Sequence, residues 1–454
     1  MTLAWIRKNK QGSNAGSDRG AGGVLCRFQQ WTDKRSYLIH LISIFVFRAA
    51  LDLIYIISIS KSYAYVGFSL DIDALRYLLS WLTLIILSPF VAQLAEDNRP
   101  SGNLFTVIVS IYFIPMTSYY GCHGTSLAFF VVAMIYWSLM LLFQRLIPSV
   151  VLAPMRSGHV TILEWALTIG SVLFVLYISG KYTGFRFTLD IINVYEIRAE
   201  AAQYDIPTIF AYLLSFMPAV LALLTMRWIE RKNIPMVLIL VVTYIFLFSI
   251  SAQKSVFFFL LFSLACGLLY RHFILQWHRV IMSVVGAVSV LFHIVLGNLY
   301  PVSLIFRRLM YIPVQISEQI YQMMRNESAV LFRDSFLDKF GFSPVYSVAI
   351  PQVVGEYRGN MGENANNGLL GDMLINLPLP LGVFLMPLVL IGCFRVLDLC
   401  AMHAPEKYCM VLCIYYAVSF SNGSWSTVLL SGGFAVASML LYVFFNKNKR
   451  DGKL

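Results

Sequence analysis

Four arginines and a run of asparagines are the side chains in this sequence whose types could do chemistry together. Arg198, Arg307, Arg308 and Arg358 fall in two long polar segments. A guanidinium grips a phosphate with paired donors, where the ammonium of a lysine acts as a point charge. Such groups suit a lipid diphosphate at a membrane surface, although each arginine could instead pair with a neighbouring carboxylate or a lipid headgroup. The second feature is Gly362-Glu-Asn-Ala-Asn-Asn-Gly-Leu-Leu-Gly-Asp372, followed by Asn376, Pro378, Pro380 and Gly382. It opens an apolar run, and irregular polar backbone at membrane depth survives only where protein buries it or water reaches it. The stretch is therefore expected to line a cavity; the plainer alternative is a solvated loop ending in a cap supplied by Asn366 or Asn367.

Other side chains carry weaker signals. Asp71 and Asp73 have the spacing of acidic pairs that hold metal-diphosphate complexes, yet they sit just before an apolar run, where an aspartate caps a helix equally well. No metal site is expected. His123 and His293 could each act as a base, but isolated histidines of this kind more often pack. Arg48 and Asp52 lie four residues apart inside an apolar run and are expected to form a structural ion pair. Lys254, in a tight turn, is expected to reach the surface by its own length. HExxH, GxxxxGK[ST], CxxC and GxSxG are all missing from the sequence, so zinc protease, ATPase, thiol-redox and hydrolase-elbow chemistry lack support.

The elements that must position these groups are written in the composition. Of 454 residues, 59% are hydrophobic and only 13% charged, which no aqueous fold could hide. Apolar runs, each about enough to cross a hydrocarbon core of roughly 30 Å, recur at 37–60, 74–95, 102–118, 125–144, 161–180, 208–226, 235–251, 255–270, 280–297, 368–394, 408–420 and 426–445. They are apolar on every side, which excludes the alternating pattern of a membrane β-barrel. The expected fold is an all-α polytopic membrane protein of about twelve transmembrane helices. The formal charge of +11 resides largely in the polar tails, 1–36 and 446–454, and in the short connectors after even-numbered runs, among them Arg99, Arg145, Arg227, Arg231 and Lys407. That pattern reads as topology, with both termini cytoplasmic, and not as nucleic-acid binding. On the opposite side, segments 181–207 and 298–367 are too long to be turns. The first contains an amphipathic stretch over 190–202, and the second is expected to form two or three short amphipathic helices. The division is a basic tail, helices over 37–297, the long outer loop 298–367, helices over 368–445 and a second basic tail.

Three places carry a resemblance. They are Asp190-Ile-Ile-Asn-Val-Tyr-Glu-Ile-Arg-Ala-Glu-Ala202 with Pro207, Phe306-Arg-Arg308, and Ala365-Asn-Asn-Gly-Leu-Leu-Gly-Asp372 with Gly382. With the topology, they make the chain resemble the bacterial oligosaccharide repeat-unit polymerases, the O-antigen polymerase or Wzy-type family. The resemblance implies a multi-pass enzyme of the bacterial inner membrane with its active site facing the periplasm. Such an enzyme moves a growing glycan from undecaprenyl diphosphate onto a new lipid-linked repeat unit during lipopolysaccharide or related polysaccharide synthesis, and needs no cofactor. It further implies Arg198, Arg307 and Arg308 on the diphosphate with Arg358 in support. Asn364, Asn366 and Asn367 would meet sugar hydroxyls, and Glu363 would be the base, with Asp372 or Glu196 in reserve. The implied partners are undecaprenyl-diphosphate-linked oligosaccharides, the bilayer, a chain-length regulator and a flippase. An O-antigen ligase and a flippase of the same lipid-linked sugar share enough of these features to stand as alternatives.

Overall fold

The computed structural model describes residues 35–97, 99–153, 160–189, 194–335, 337, 340–359, 364–366 and 368–445. Both basic tails therefore lie outside the described residues, apart from Arg35 and Ser36. The described chain is helical throughout, with no strand, and it is a multi-pass membrane protein. Ten helices are long and apolar enough to cross a bilayer: α1 (Ser36–Val66), α2 (Ala74–Ala92), α3 (Pro100–His123), α4 (Leu127–Leu146), α5 (Val160–Thr183), α7 (Thr208–Glu230), α8 (Ile234–Ser251), α10 (Ile274–Leu296), α15 (Leu379–Ala401) and a last one over Trp425–Phe445. Two further expected crossings are present as shorter helices, α9 (Lys254–Leu269, 16 residues) and α16 (Glu406–Asn422, 17 residues).

Between them lie the short elements that the two long segments were expected to hold. These are α6 (Val194–Ala201), α11 (Val302–Tyr311), α12 (Ile312–Met324) and α13 (Ile350–Tyr357), followed by α14 (Leu370–Asn376) at the start of the next expected run. The expected run 368–394 is broken into α14 and α15 at Leu377-Pro378. A proline there has no N–H to continue the helix and pushes the residue before it into extended backbone, and Leu377 has φ −127°. The last crossing is likewise interrupted, as α17 (Trp425–Leu429) and α18 (Phe434–Phe445).

Local chemistry sets the helix ends. The Asp73 carboxylate accepts from the Arg76 N–H at 2.9 Å and caps α2, and Asn233 does the same for α8. Asp71 pairs with Arg76 at 3.1 Å, so the acidic pair is spent on the start of a helix. Gly124 closes α3 with φ +87°, a conformation that favours glycine.

α3 is the centre of the bundle: 89% of its apolar window is buried, against 22% for α2, whose outer face meets lipid. α1 packs on α10, α2 on α3, α15 on α4, α8 on α5 and α7 on α9, while α16 lies between α3 and α9. The helices alternate between two ends. One end carries 181–207 and 298–369. The other carries the basic connectors, knit by ion pairs such as Arg227 to the buried Glu164 at 2.6 Å and Lys407 to Glu230 at 2.6 Å.

One buried cluster ties α1, α2 and α3 together. Arg48, with no exposed surface, pairs with Asp52 one turn on. Arg48 also donates to Thr117 Oγ1 and Ser80 Oγ, each at 3.0 Å. Asp52 accepts from Tyr77 Oη at 2.9 Å and Ser118 Oγ at 2.6 Å. Removing one partner of such a pair strands the other charge, at a cost of about 3–5 kcal/mol. Arg48→Met should therefore unfold in detergent many degrees below the parent. Arg48→Met/Asp52→Asn should recover more than half of that loss, measured by thermal unfolding in a double-mutant cycle.

Candidate functional site

The expected polar stretch is the place to start. From Gly368 to Leu377 it is buried, while Asn364 and Asn366 before it are exposed; in the buried part, protein satisfies much of the backbone. Gly368 N–H donates to Ser421 O at 3.2 Å, while Val330 and Leu331 donate to the Ile375 and Asn376 carbonyls at 2.9 and 3.0 Å. A side chain at Gly368 would run into the Phe420 and Gly423 carbonyl oxygens, so only glycine lets the two segments approach this closely. The next residue, Leu369, has φ +46°, a strained value for a branched side chain.

Asp372 sits at the heart of this arrangement, and the structure gives it a framework role in place of the catalytic one expected. Its Oδ2 accepts from the Trp425 N–H at 3.0 Å, holding the start of α17, and its Oδ1 accepts from Asn376 Nδ2 at 2.9 Å. Asn376 Oδ1 in turn accepts from the Phe332 N–H at 3.1 Å. Burial pushes the Asp372 carboxyl up to about 6, opposed by the Trp425 N–H and the Ser424 and Asn376 side chains. Both oxygens thus help to hold framework segments together. A cleft of about 540 Å³ lies beside α17, but its walls are Tyr212, Phe216, Ser335 and residues 426–431, not the polar stretch.

The remaining expected residues share one end of the molecule without forming one cluster. Arg198, on α6, donates from Nε to the Ala252 carbonyl at 3.1 Å and clamps the turn between α8 and α9. Lys254, in that turn, lies 5.9 Å from the centre of the Tyr300 ring. Arg307, on α11, stacks over Tyr63 at 4.1 Å, and Arg308 is exposed beside it. Glu196 is exposed on α6; Asn364 and Asn366 are exposed and held beside the start of α13 by the Ala365 N–H to Pro351 O contact at 2.9 Å. Glu363 and Asn367 lie outside the described residues.

What sequence reasoning passed over is Glu318. It lies on α12, whose face Pro313–Glu318 is buried against the bundle, and it is only 6% exposed itself. Its carboxylate accepts from Gln322 Nε2 at 3.4 Å and lies near the Tyr119 hydroxyl of α3, which itself makes no hydrogen bond among the described residues; burial pushes the carboxyl up to about 7. Arg358, at the end of α13, lies within electrostatic reach of Tyr119. His123 stacks on Tyr119 with ring centres 4.4 Å apart, and its Nδ1 lies 3.2 Å from Tyr55 Oη. A carboxyl raised by burial, a phenol and an imidazole thus lie around the end of α3, with the Arg358 charge reaching the phenol. The signal was available: Tyr311, Val314, Glu318 and Tyr321 recur at helical spacing, which puts a carboxylate on an apolar face. Among the described residues no group of three or more acidic, histidine or cysteine side chains could hold a metal.

A carboxyl whose folded value stands near 7, against the usual 4.5, binds its proton more tightly folded than unfolded. Its contribution to stability is then complete below about pH 4.5 and is lost as pH rises through 7, on the order of 3 kcal/mol in all. Asp372 acts in the same direction over a lower range. The melting temperature of the purified protein should therefore fall between pH 5 and 8, and Glu318→Gln should flatten the upper part of that fall while leaving the lower part in place. Compared with known family models, curated proteins and solved structures, the chain finds no match, so its own side chains must carry any functional assignment.

Proposed function

We propose that this protein is a glycosyltransferase of the bacterial inner membrane that polymerises lipid-linked oligosaccharide repeat units at the periplasmic face. The observation that carries the reading is Glu318, a buried carboxylate pushed up to about 7 at the loop-rich end, near Tyr119, a side chain that also feels the Arg358 charge. A general base works best when its own value lies near the working pH. The resemblance of the outer segments to repeat-unit polymerases supplies the substrate class.

In this reading the acceptor sugar hydroxyl gives its proton to Glu318 as its oxygen attacks the anomeric carbon of the growing glycan. The bond from that carbon to the lipid diphosphate breaks, and the departing diphosphate takes the electron pair. Negative charge grows on the diphosphate, and a guanidinium already in place lowers the cost of that charge. Arg358, whose charge reaches Tyr119, would supply that guanidinium, with Arg307 and Arg308, on the helix that leads into α12, as further candidates. Asn364 and Asn366, exposed beside α13, are placed to meet sugar hydroxyls. Glu318 thus takes the role that the resemblance implied for Glu363, with Asp372 or Glu196 in reserve.

The test is the length distribution of surface polysaccharide on a gel. A host deleted for this gene should lose the polymer ladder while a single repeat unit still caps the lipid, and the intact gene should restore the ladder. Glu318→Gln and Arg358→Ala, present in the membrane at the parental level by immunoblot, should fail to restore it, with turnover down by about 100-fold or more. If the deletion leaves no repeat unit at the surface at all, export or ligation is the function and the polymerase reading falls.

A further inference from the structure

At the end of the bundle remote from Glu318, Arg279 on α10 is fully buried, and its Nη2 has no hydrogen-bond partner. Its other nitrogens meet neutral groups: Nε donates to Ser110 Oγ of α3 at 2.9 Å, and Nη1 lies 3.1 Å from His40 Nδ1 of α1. No ion pair reaches it among the described residues. A guanidinium buried in a membrane bundle with no carboxylate beside it marks a functional position whose counter-charge has still to be named. The contact to His40 also fixes that ring: Nδ1 accepts from Arg279, so the ring proton sits on Nε2 and is free to donate.

His40 is one wall of a cavity of about 160 Å³, and Asn103, Thr106 and Gln276 supply neutral polar groups to the others. Two carboxylates also border the cavity, and both are already spent. Asp97 holds Arg99 through two bonds of 2.7 Å and accepts from Gln144 at 3.0 Å; both Glu406 oxygens lie 2.8 Å from His272 Nδ1. What remains unbalanced is the charge of Arg279, one turn beyond Gln276 and linked to the cavity through His40. The geometry points to a phosphate site: the cavity between α1, α3 and α10 takes one phosphate group, held by His40, Asn103 and Thr106 and balanced by Arg279. The group is either inorganic phosphate or the phosphate of a lipid headgroup. The site is separate from the proposed transfer chemistry and stands whether or not that reading holds.

The experiment is equilibrium dialysis of radiolabelled orthophosphate against the purified full chain, run beside native mass spectrometry of the same chain in phosphatidylcholine nanodiscs doped with phosphatidylglycerol. A free-phosphate site gives one orthophosphate per chain. A headgroup site gives one retained phosphatidylglycerol and no orthophosphate. Either form should weaken at least ten-fold in Arg279→Gln and in Thr106→Leu, which fills the cavity and leaves the guanidinium in place. Should Arg279→Gln fail to fold, Thr106→Leu decides alone. Absence of both ligands from the parent, or equal binding by parent and the folded variants, overturns the proposal.

Discussion

A charge in hydrocarbon has no water to turn to, and the Arg48–Asp52 pair meets that constraint by drawing three helices onto itself. Thr117, Ser118, Ser80 and Tyr77 all spend their polar atoms on the two charges. Ser118 is also the link outward, because its hydroxyl lies 2.9 Å from Tyr311 Oη, which itself donates to the Leu51 carbonyl at 2.9 Å. Tyr311 stands where α11 passes into α12, two turns before Glu318, and Tyr119 follows Ser118 in α3. The carboxylate and the phenol are therefore both indexed to the same ion pair, one through α12 and the other through α3. Side chains on helices tied in this way are held more closely than loop backbone alone could hold them.

The two ends of the bundle use charge differently. At the basic end nearly every carboxylate closes a contact between helices: Glu164 takes Arg227 and Arg231, Asp398 takes Arg395, Ser101 and Ser149, and Glu230 takes Lys407 and Tyr408. These bonds tie connectors that would otherwise carry unsatisfied groups into the headgroup region. At the loop-rich end Arg308 is exposed, and Arg307 stacks on the Tyr63 ring while its Nε donates to Ser303 Oγ at 3.2 Å.

Much of this was legible in the sequence. Apolar length marked the crossings because a span is a length requirement, and the charge at Arg48 and Asp52 was readable as a pair because helical spacing places residues four apart on one face. The short helices of 181–207 and 298–367 were visible in their periodicity. Two things were not visible. The stretch ending in Asp372 was rich in small and polar residues, a composition equally suited to lining water or to close backbone packing; only the approach of Gly368 to Phe420 and Gly423 decides for packing. Glu318 was one acidic residue among several in a nearly neutral loop, and what sets it apart is Tyr119, nearly 200 residues earlier in the chain. Sequence periodicity gave its face but not its partner.

Glu318 and Asp372 show how one physical effect yields two roles. Burial raises both carboxyls, to about 7 and about 6, and what differs is the kind of donor each receives. Asp372 is held through a backbone N–H at the start of a helix and an amide that also binds its own carbonyl, so moving it would release α17 and the 330–332 strap together. Glu318 accepts from the Gln322 side chain one turn on in its own helix, at 3.4 Å, with the Tyr119 hydroxyl nearby but unbonded. A carboxyl that must take up and surrender a proton needs a partner able to follow it, and a carboxyl that must hold backbone in place needs donors that cannot change. Of the two, it is Asp372 whose backbone donor fixes the start of a helix.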